Sequence, residues 1–406
     1  MPESWCKSID LIYTGKVCLL GYTSFVIMQR TPLYDLHCAA RAHFIDCAGF
    51  EMPLHYAKGA VEEHLHTRRA ASLFDLSHQA QIEISGPGAE RELERLMPLD
   101  LNLLGLSQQA RTVLPNRQGG VMDELVVSRR NRDNFHLVVN AACKQKVIAH
   151  LSRELQDSSL NVLEDQCLLA LQGPAAVDSL LRLFSVETGK LRWMEGMLAK
   201  FQQAECFISR SGLTGEDGFE LSIASKQAIA LAKQLLKHDG VRWAGQGAAD
   251  TLRLEAGFCR YGQELTEDIS PVSAGLARYI SKSRQSEGDK AGAFLGAEII
   301  LHQLETGTAD KRIGLVVQDK LLVPEGTVLR DLRGNEVGVV TSAAYSPSLQ
   351  VPVAMAYVEA RCSQSGTELL ADADGKELVL NVCRLPFVAH HHAGGQAGGY
   401  FLSGIN

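Results

Sequence analysis

Between Arg312 and Pro386 the chain carries four short β-rich runs, Arg312 to Gln318, Glu336 to Ser342, Val351 to Glu359 and Glu377 to Pro386, separated by turn residues. No helical pattern interrupts them. Regular spacing of this kind predicts a small antiparallel β-barrel as a C-terminal domain, spanning about 290–388. The residues before it read differently. Ala80 to Ser85 alternates like a half-buried strand, Gly86-Pro87-Gly88 breaks it, and Ala89 to Met97 has the spacing of a short amphipathic helix. Phe135 to Val139 is a second alternating strand. After Gln172-Gly173-Pro174, the apolar residues Val177, Leu180, Leu181 and Phe184 fall at helical spacing, and a further helix runs from about Ser225 to His238 and stops at Gly240. Strands and helices therefore mix, which makes the class α+β. With 406 residues the chain exceeds one ordinary hydrophobic core and divides into domains.

A net charge of −7 provides no footprint for nucleic acid or an anionic membrane, so neither is expected as a partner. The 10 cysteines include no CxxC pair and no histidine at zinc spacing; they read as reduced thiols in a cytoplasmic-type compartment, with no metal site. Val17 to Met28 is apolar but too short to span a bilayer. Glu3 and Asp10 argue against a signal peptide, and the absence of arginine before Arg30 argues against a mitochondrial leader. Residues 1–30 are accordingly expected to be an extension outside the fold, and the Gly-rich segment 389–406 a flexible tail.

Three segments could carry chemistry. In Arg117 to Val127 a glycine turn delivers Asp123 and Glu124 onto an apolar strand. In Thr214 to Ile223 another tight turn runs into a strand on which period two sets Phe219, Leu221 and Ile223 on one face and Glu220 with Ser222 on the other. If the second face lines a cavity, Glu220 offers two parallel acceptors to the amino-pyrimidinone edge of a pterin; otherwise it is a surface carboxylate. In Asp250 to Gly257 a helix permits local pairing of Thr251 with Glu255 and of Asp250 with Arg253, a pattern more often structural than functional.

Taken together, Asp35 to His37, Ala48 to Tyr56, His64 to Arg68, Leu73 to His78, Gly119 to Leu125, Leu171 to Pro174, Thr214 to Leu221, Leu252 to Gly257, Tyr261 to Glu264 and Ser346 to Leu349 resemble, in order, the glycine-cleavage T-proteins. The likeness covers about Thr31 to Val388. It implies a three-domain cloverleaf around a central folate channel, with 31–84 and 166–285 in one domain and 85–165 in the second. It also implies an aminomethyltransferase that passes a one-carbon unit from the aminomethyl-lipoyl arm of the H-protein to tetrahydrofolate, the acceptor substrate, with release of ammonia. By this likeness Asp123 matches the catalytic carboxylate and Glu220 the pterin-binding glutamate, with Asn140, Tyr261 and His392 completing the folate site. The location implied is the cytoplasm, or the mitochondrial matrix in a eukaryote.

The chain departs from the pattern at Gln79, where a methionine is usual, and at Ala249, where the family places a folate-contacting arginine. A third departure is the Ala389-His390-His391-His392 run. Losing one charge-assisted hydrogen bond costs about 1.5–3 kcal/mol. Two alternatives follow from these departures: a related folate-dependent demethylase, or a folate-binding paralogue without efficient turnover.

Overall fold

The computed structural model describes residues 28–392, so the readings made of residues 1–27 and 393–406 lie outside the described residues. Three units follow from the strand pairing. A six-stranded sheet has the order Gly196–Phe201, Ala204–Ser209, Gly218–Ala224, Gln166–Gln172, Ala71–Asp75, Val241–Trp243. A five-stranded sheet has the order Gln109–Pro115, Val121–Asn131, Asn134–Val139, Ala80–Ser85, Ser159–Val162. Six strands between Asp310 and Cys383 close into a barrel.

Each sheet buries one face under its own helices. Phe219, Leu221 and Ile223 pack with Leu180 and with Leu231 and Leu235 of the helix Ser225–Leu235. Ile82, Ile84, Leu125, Val127 and Leu137 pack with Leu93 and Leu96 of Ala89–Leu96 and with Val147 and Leu151 of Lys144–Glu154. The opposite faces of the two sheets meet. Ser222 Oγ donates to Gln81 Oε1 at 2.5 Å across this junction, the His136 and Phe207 rings lie edge to face at 6.0 Å, and Val138 packs on the Phe74–Ala170 cluster. Unlike the two apolar cores, this layer is rich in polar side chains.

The expected α+β class and antiparallel barrel are what the chain forms. The strand Ala80–Ser85 pairs with Asn134–Val139 and Ser159–Val162, so the division expected at 84/85 moves ahead of Ala80. Within 290–388 the helix Ala297–Thr306 precedes the barrel, and two strands absent from the sequence reading complete it. Val328–Arg330 is too short for an alternating signal, and Glu368–Ala373 is built from residues of low strand preference. The eight described cysteines are all free thiols. Among the described residues no helix is long and apolar enough to cross a membrane.

Candidate active site between the two sheets

Strand alternation turns Glu220 into the layer between the sheets. Its neighbours Phe219 and Leu221 are fully buried in the core on the other side, while Glu220 is 7% exposed and accepts from Ser211 Oγ at 2.9 Å. Burial raises its carboxyl, opposed by the charge of Arg111 and by the Ser211 hydrogen bond. Arg111 reaches this space from the five-stranded sheet. Its Nη2 donates to Gly212 O at 2.9 Å, its Nη1 lies 3.4 Å from Glu124 Oε1, and its guanidinium sits 5.1 Å from the centre of the Phe258 ring. Tyr279 Oη also donates to Glu124 Oε1, at 3.3 Å.

Glu124 owes its position to the preceding turn. Gly119 adopts φ +79°, and a Cβ on Gly120 would lie 1.7 Å from Glu267 O, so only glycine lets the chain enter the strand Val121–Asn131 here. Along that strand Asp123 shares a face with Leu125 and Val127, which belong to the core under the domain's own helices, whereas Glu124 takes the opposite face. Asp123 is fully buried, with Oδ1 accepting from Asn140 Nδ2 at 2.6 Å and Oδ2 from Asn140 N at 3.1 Å. The structure does not bring Asp123 and Glu220 to one space; it brings Glu124 and Glu220 there.

Burial pushes the Asp123 carboxyl up to about 7 against its Asn140 donors. An ordinary aspartate titrates near 4, so between about pH 4 and 7 the native state holds a proton that the unfolded chain has lost, and this group's contribution to stability falls as pH rises through that window. At ~1.36 kcal/mol per unit the full effect is about 4 kcal/mol. Asp123→Asn is expected to flatten this dependence, read as the difference in urea-unfolding free energy between variant and wild type at pH 5 and pH 8. An unchanged difference would show that Asp123 does not titrate in this range.

The other expected site residues divide between the two faces. Asn140 serves Asp123, and Tyr261 packs at the edge of the helix-side core, where Lys146 Nζ hydrogen-bonds its hydroxyl and lies 3.9 Å from its ring centre. His392 lies on the other side with Glu220 and Arg111. Contrary to the expectation of a flexible tail from 389, residues 390–392 are each pinned by partners of their own. His390 Nε2 bonds Ala256 O at 2.9 Å and its ring stacks on Phe258. His391 N donates to Gly215 O at 2.8 Å, and its ring meets Glu216. His392 stacks on Trp193 at 3.5 Å, and burial, with the charges of His390 and Arg111, lowers its imidazole to about 3, which keeps it neutral. Among the described residues no group of three or more His, Cys, Asp or Glu side chains could hold a metal ion.

Ala249 lines a small cavity of about 10 Å³ with Phe74, Leu76, Ala170, Gln172, Leu213 and Thr214. Of the nearby arginines in sequence, Arg242 faces a separate cavity of about 210 Å³. Arg253 bonds Asp250 and Glu264, and Arg260 lies 3.5 Å from Asp250. The cation that faces Glu220 is Arg111, which sequence reasoning passed over. Its signal is an arginine set in the apolar strand Gln109–Pro115, and for Glu124 the signal is the same period of two that located Glu220.

Residues 33–284 match the GCVT N-terminal domain, and residues 311–389 match the glycine cleavage T-protein C-terminal barrel domain. The chain belongs to the glycine cleavage T-protein family. It is 36% identical over 376 residues to the mitochondrial aminomethyltransferase of Flaveria trinervia, covering 90% of this chain and 91% of that protein. Against the mitochondrial aminomethyltransferase of Mus musculus it is 37% identical over 369 residues, covering 89% and 90%. The crystal structure of glycine cleavage system aminomethyltransferase T from Bartonella henselae superposes with a TM-score of 0.84 at 40% identity, covering 90% of this chain and 99% of that one. In this T-protein, then, the polar layer between the sheets is the place where one buried carboxylate, Glu220, and one part-buried carboxylate, Glu124, face one guanidinium.

Proposed function

We propose that this T-protein is a tetrahydrofolate-dependent aminomethyltransferase whose chemistry takes place between the two sheets. The observation that carries the reading is the arrangement of Glu220 and Glu124 about Arg111 in a chain whose relatives are named aminomethyltransferases. Glu220 Oε2 has Ser211 as its partner, and Oε1 has none among the described residues, so the carboxylate can still accept from the adjacent N–H donors of a pterin. The aromatic planes of Trp193 with His392 and of Phe258 with His390 offer surfaces for a flat, conjugated substrate. The reaction joins the folate N5 to the aminomethyl carbon and expels ammonia, which requires a proton and stabilisation of positive charge at that carbon. Glu124 is the carboxylate facing that space: ionised, it stabilises the positive charge, and it can pass the proton that N5 loses to the departing ammonia. Lipoylated H-protein is the donor partner in this reading, and the compartment is the one that holds it: the mitochondrial matrix in a eukaryote, the cytoplasm otherwise.

The test is ammonia release from aminomethylated H-protein in the presence of tetrahydrofolate. Turnover is expected with the wild type. Glu220→Gln should weaken folate binding by roughly 10-fold or more, the worth of a charge-assisted hydrogen bond, while leaving the melting temperature without folate unchanged. Loss of apo stability with intact folate affinity would make Glu220 a structural residue, and absence of ammonia release from the wild type would overturn the proposed function.

A further inference from the structure

Within the reading just given, the two carboxylates pose an electrostatic problem. Glu220 and Glu124 both turn into a layer from which water is largely excluded, and carboxylates brought together there resist ionisation unless a cation compensates them. The family's arginine is missing at position 249, and Ala249 instead lines an apolar-walled cavity. Arg111 enters from the opposite sheet. Its side chain is 14% exposed, it approaches Glu124, it is anchored on Gly212 O in the loop that leads into the Glu220 strand, and it lies against Phe258. One positive charge thus bridges both sheets and acts on both carboxylates.

We propose that Arg111 is the positioning residue of this site: it holds Glu124 directed at the space between the sheets and keeps Glu220 available as an acceptor, so that the counter-charge comes from the five-stranded sheet instead of from the helix bearing Ala249. The proposal rests on the folate reading. Its consequence is a substrate edge that presents N–H donors to Glu220, because a substrate bringing its own carboxylate to Glu220 would meet a second negative charge with the cation already engaged. A further consequence concerns Ala249→Arg. In the wild type the added cation enters a site whose compensation is already supplied, whereas in a protein lacking Arg111 it restores what has been lost.

The experiment measures tetrahydrofolate affinity from pH 5 to pH 9, together with melting temperature, for wild type, Arg111→Leu, Arg111→Lys and Arg111→Leu/Ala249→Arg. Removing the guanidinium leaves only the Ser211 hydrogen bond to oppose the upward push of burial on Glu220, so ionised Glu220 persists only at higher pH. Arg111→Leu is therefore expected to bind folate at least 10-fold more weakly at pH 7, with the acid limb of the binding profile moved to higher pH and the deficit shrinking toward pH 9. Arg111→Lys keeps the limb near its wild-type position, and the double variant recovers most of the loss. If Arg111→Leu does not fold, Arg111→Gln, which keeps a donor for Gly212 O without the charge, carries the same comparison. Wild-type affinity and an unmoved limb in the charge-free variant would overturn the role of Arg111 alone. A lysine variant as impaired as the leucine one would also overturn it, by showing that shape and not charge matters. A wild type that does not bind tetrahydrofolate at any pH would overturn the folate reading together with this proposal.

Discussion

Glu124→Gln is expected to lower ammonia-releasing turnover by roughly 10²- to 10⁴-fold, the range for loss of a positioned acid–base group, in a protein that still folds and melts like the wild type. The exchange keeps the side chain's length and its hydrogen bond from Tyr279 while removing the charge that faces Arg111. Glu124 contacts Arg111 of the neighbouring strand and Tyr279, outside the apolar core, so the fold does not depend on its ionisation. Asp123→Asn is the paired control. Asp123 lies on the other face of the same strand, tied to Asn140, and its replacement should act on stability and on the setting of the strand, with turnover of the folded fraction reduced by about 10-fold or less. The kcat of each variant, corrected for folded protein, decides between the two neighbouring acids. Near-normal turnover in Glu124→Gln with a collapse in Asp123→Asn would return the chemistry to Asp123 and imply that the substrate approaches from the helix side of the sheet.

The separation of Asp123 from Glu220 has a definite physical origin. The glycine turn locates both acids, and the strand phase divides them: Leu125 and Val127 are apolar residues bound for the domain's core, and Asp123 is in step with them. For Glu220 the phase was carried through against Phe219, Leu221 and Ile223, and the structure has it on the expected face. The barrel was legible because its longer strands alternate, as in Val351–Glu359, and its two weak strands were not, because they are defined by their neighbours in the closed ladder and not by their own composition. Arg111 is harder to read for a different reason. An arginine in an apolar strand is a local signal, but it does not tell a side chain pointing into a layer between domains from one pointing into solvent, and the partners that decide, Gly212 and Phe258, are far away in the chain. The same holds for His390, His391 and His392, whose Gly-rich surroundings suggested mobility while Phe258, Glu216 and Trp193 hold them.

Glu255→Gln is expected to be the most damaging substitution for stability, because the helix Gln246–Glu255 ends on a carboxylate that three parts of the chain share. Glu255 is fully buried and accepts from Arg68 Nη2 at 2.7 Å, from Ser346 Oγ at 2.5 Å, and from Ser348 through Oγ at 2.7 Å and N at 3.1 Å. The expected local pairing with Thr251 is not made. Thr251 Oγ1 instead meets His64 Nδ1 at 2.8 Å, while His64 Nε2 lies 3.2 Å from Glu255. Burial works to raise the Glu255 carboxyl, but His64, Ser346 and Ser348 outweigh it and hold the group well below the usual carboxylate range. Ser346 and Ser348 come from the barrel end of the chain and His64 and Arg68 from the helix Gly59–Arg69, so this one side chain fastens the barrel to the six-stranded unit. Arg68 continues the link to Glu216 at 2.8 Å, the residue that also meets His391. Glutamine would present an amide donor to a site already filled with donors and would leave Arg68 with half its compensation, a loss of about 3–5 kcal/mol for a broken buried pair. At ~2–4 °C per kcal/mol for a domain of 150–250 residues, the melting temperature should fall by roughly 6–20 °C. Calorimetry should also resolve the barrel transition from the remainder, since the shared fastening is what makes them melt together. A melting temperature within about 2 °C of the wild type and a single unchanged transition would show that Ser346, Ser348 and Arg68 hold the barrel without the charge.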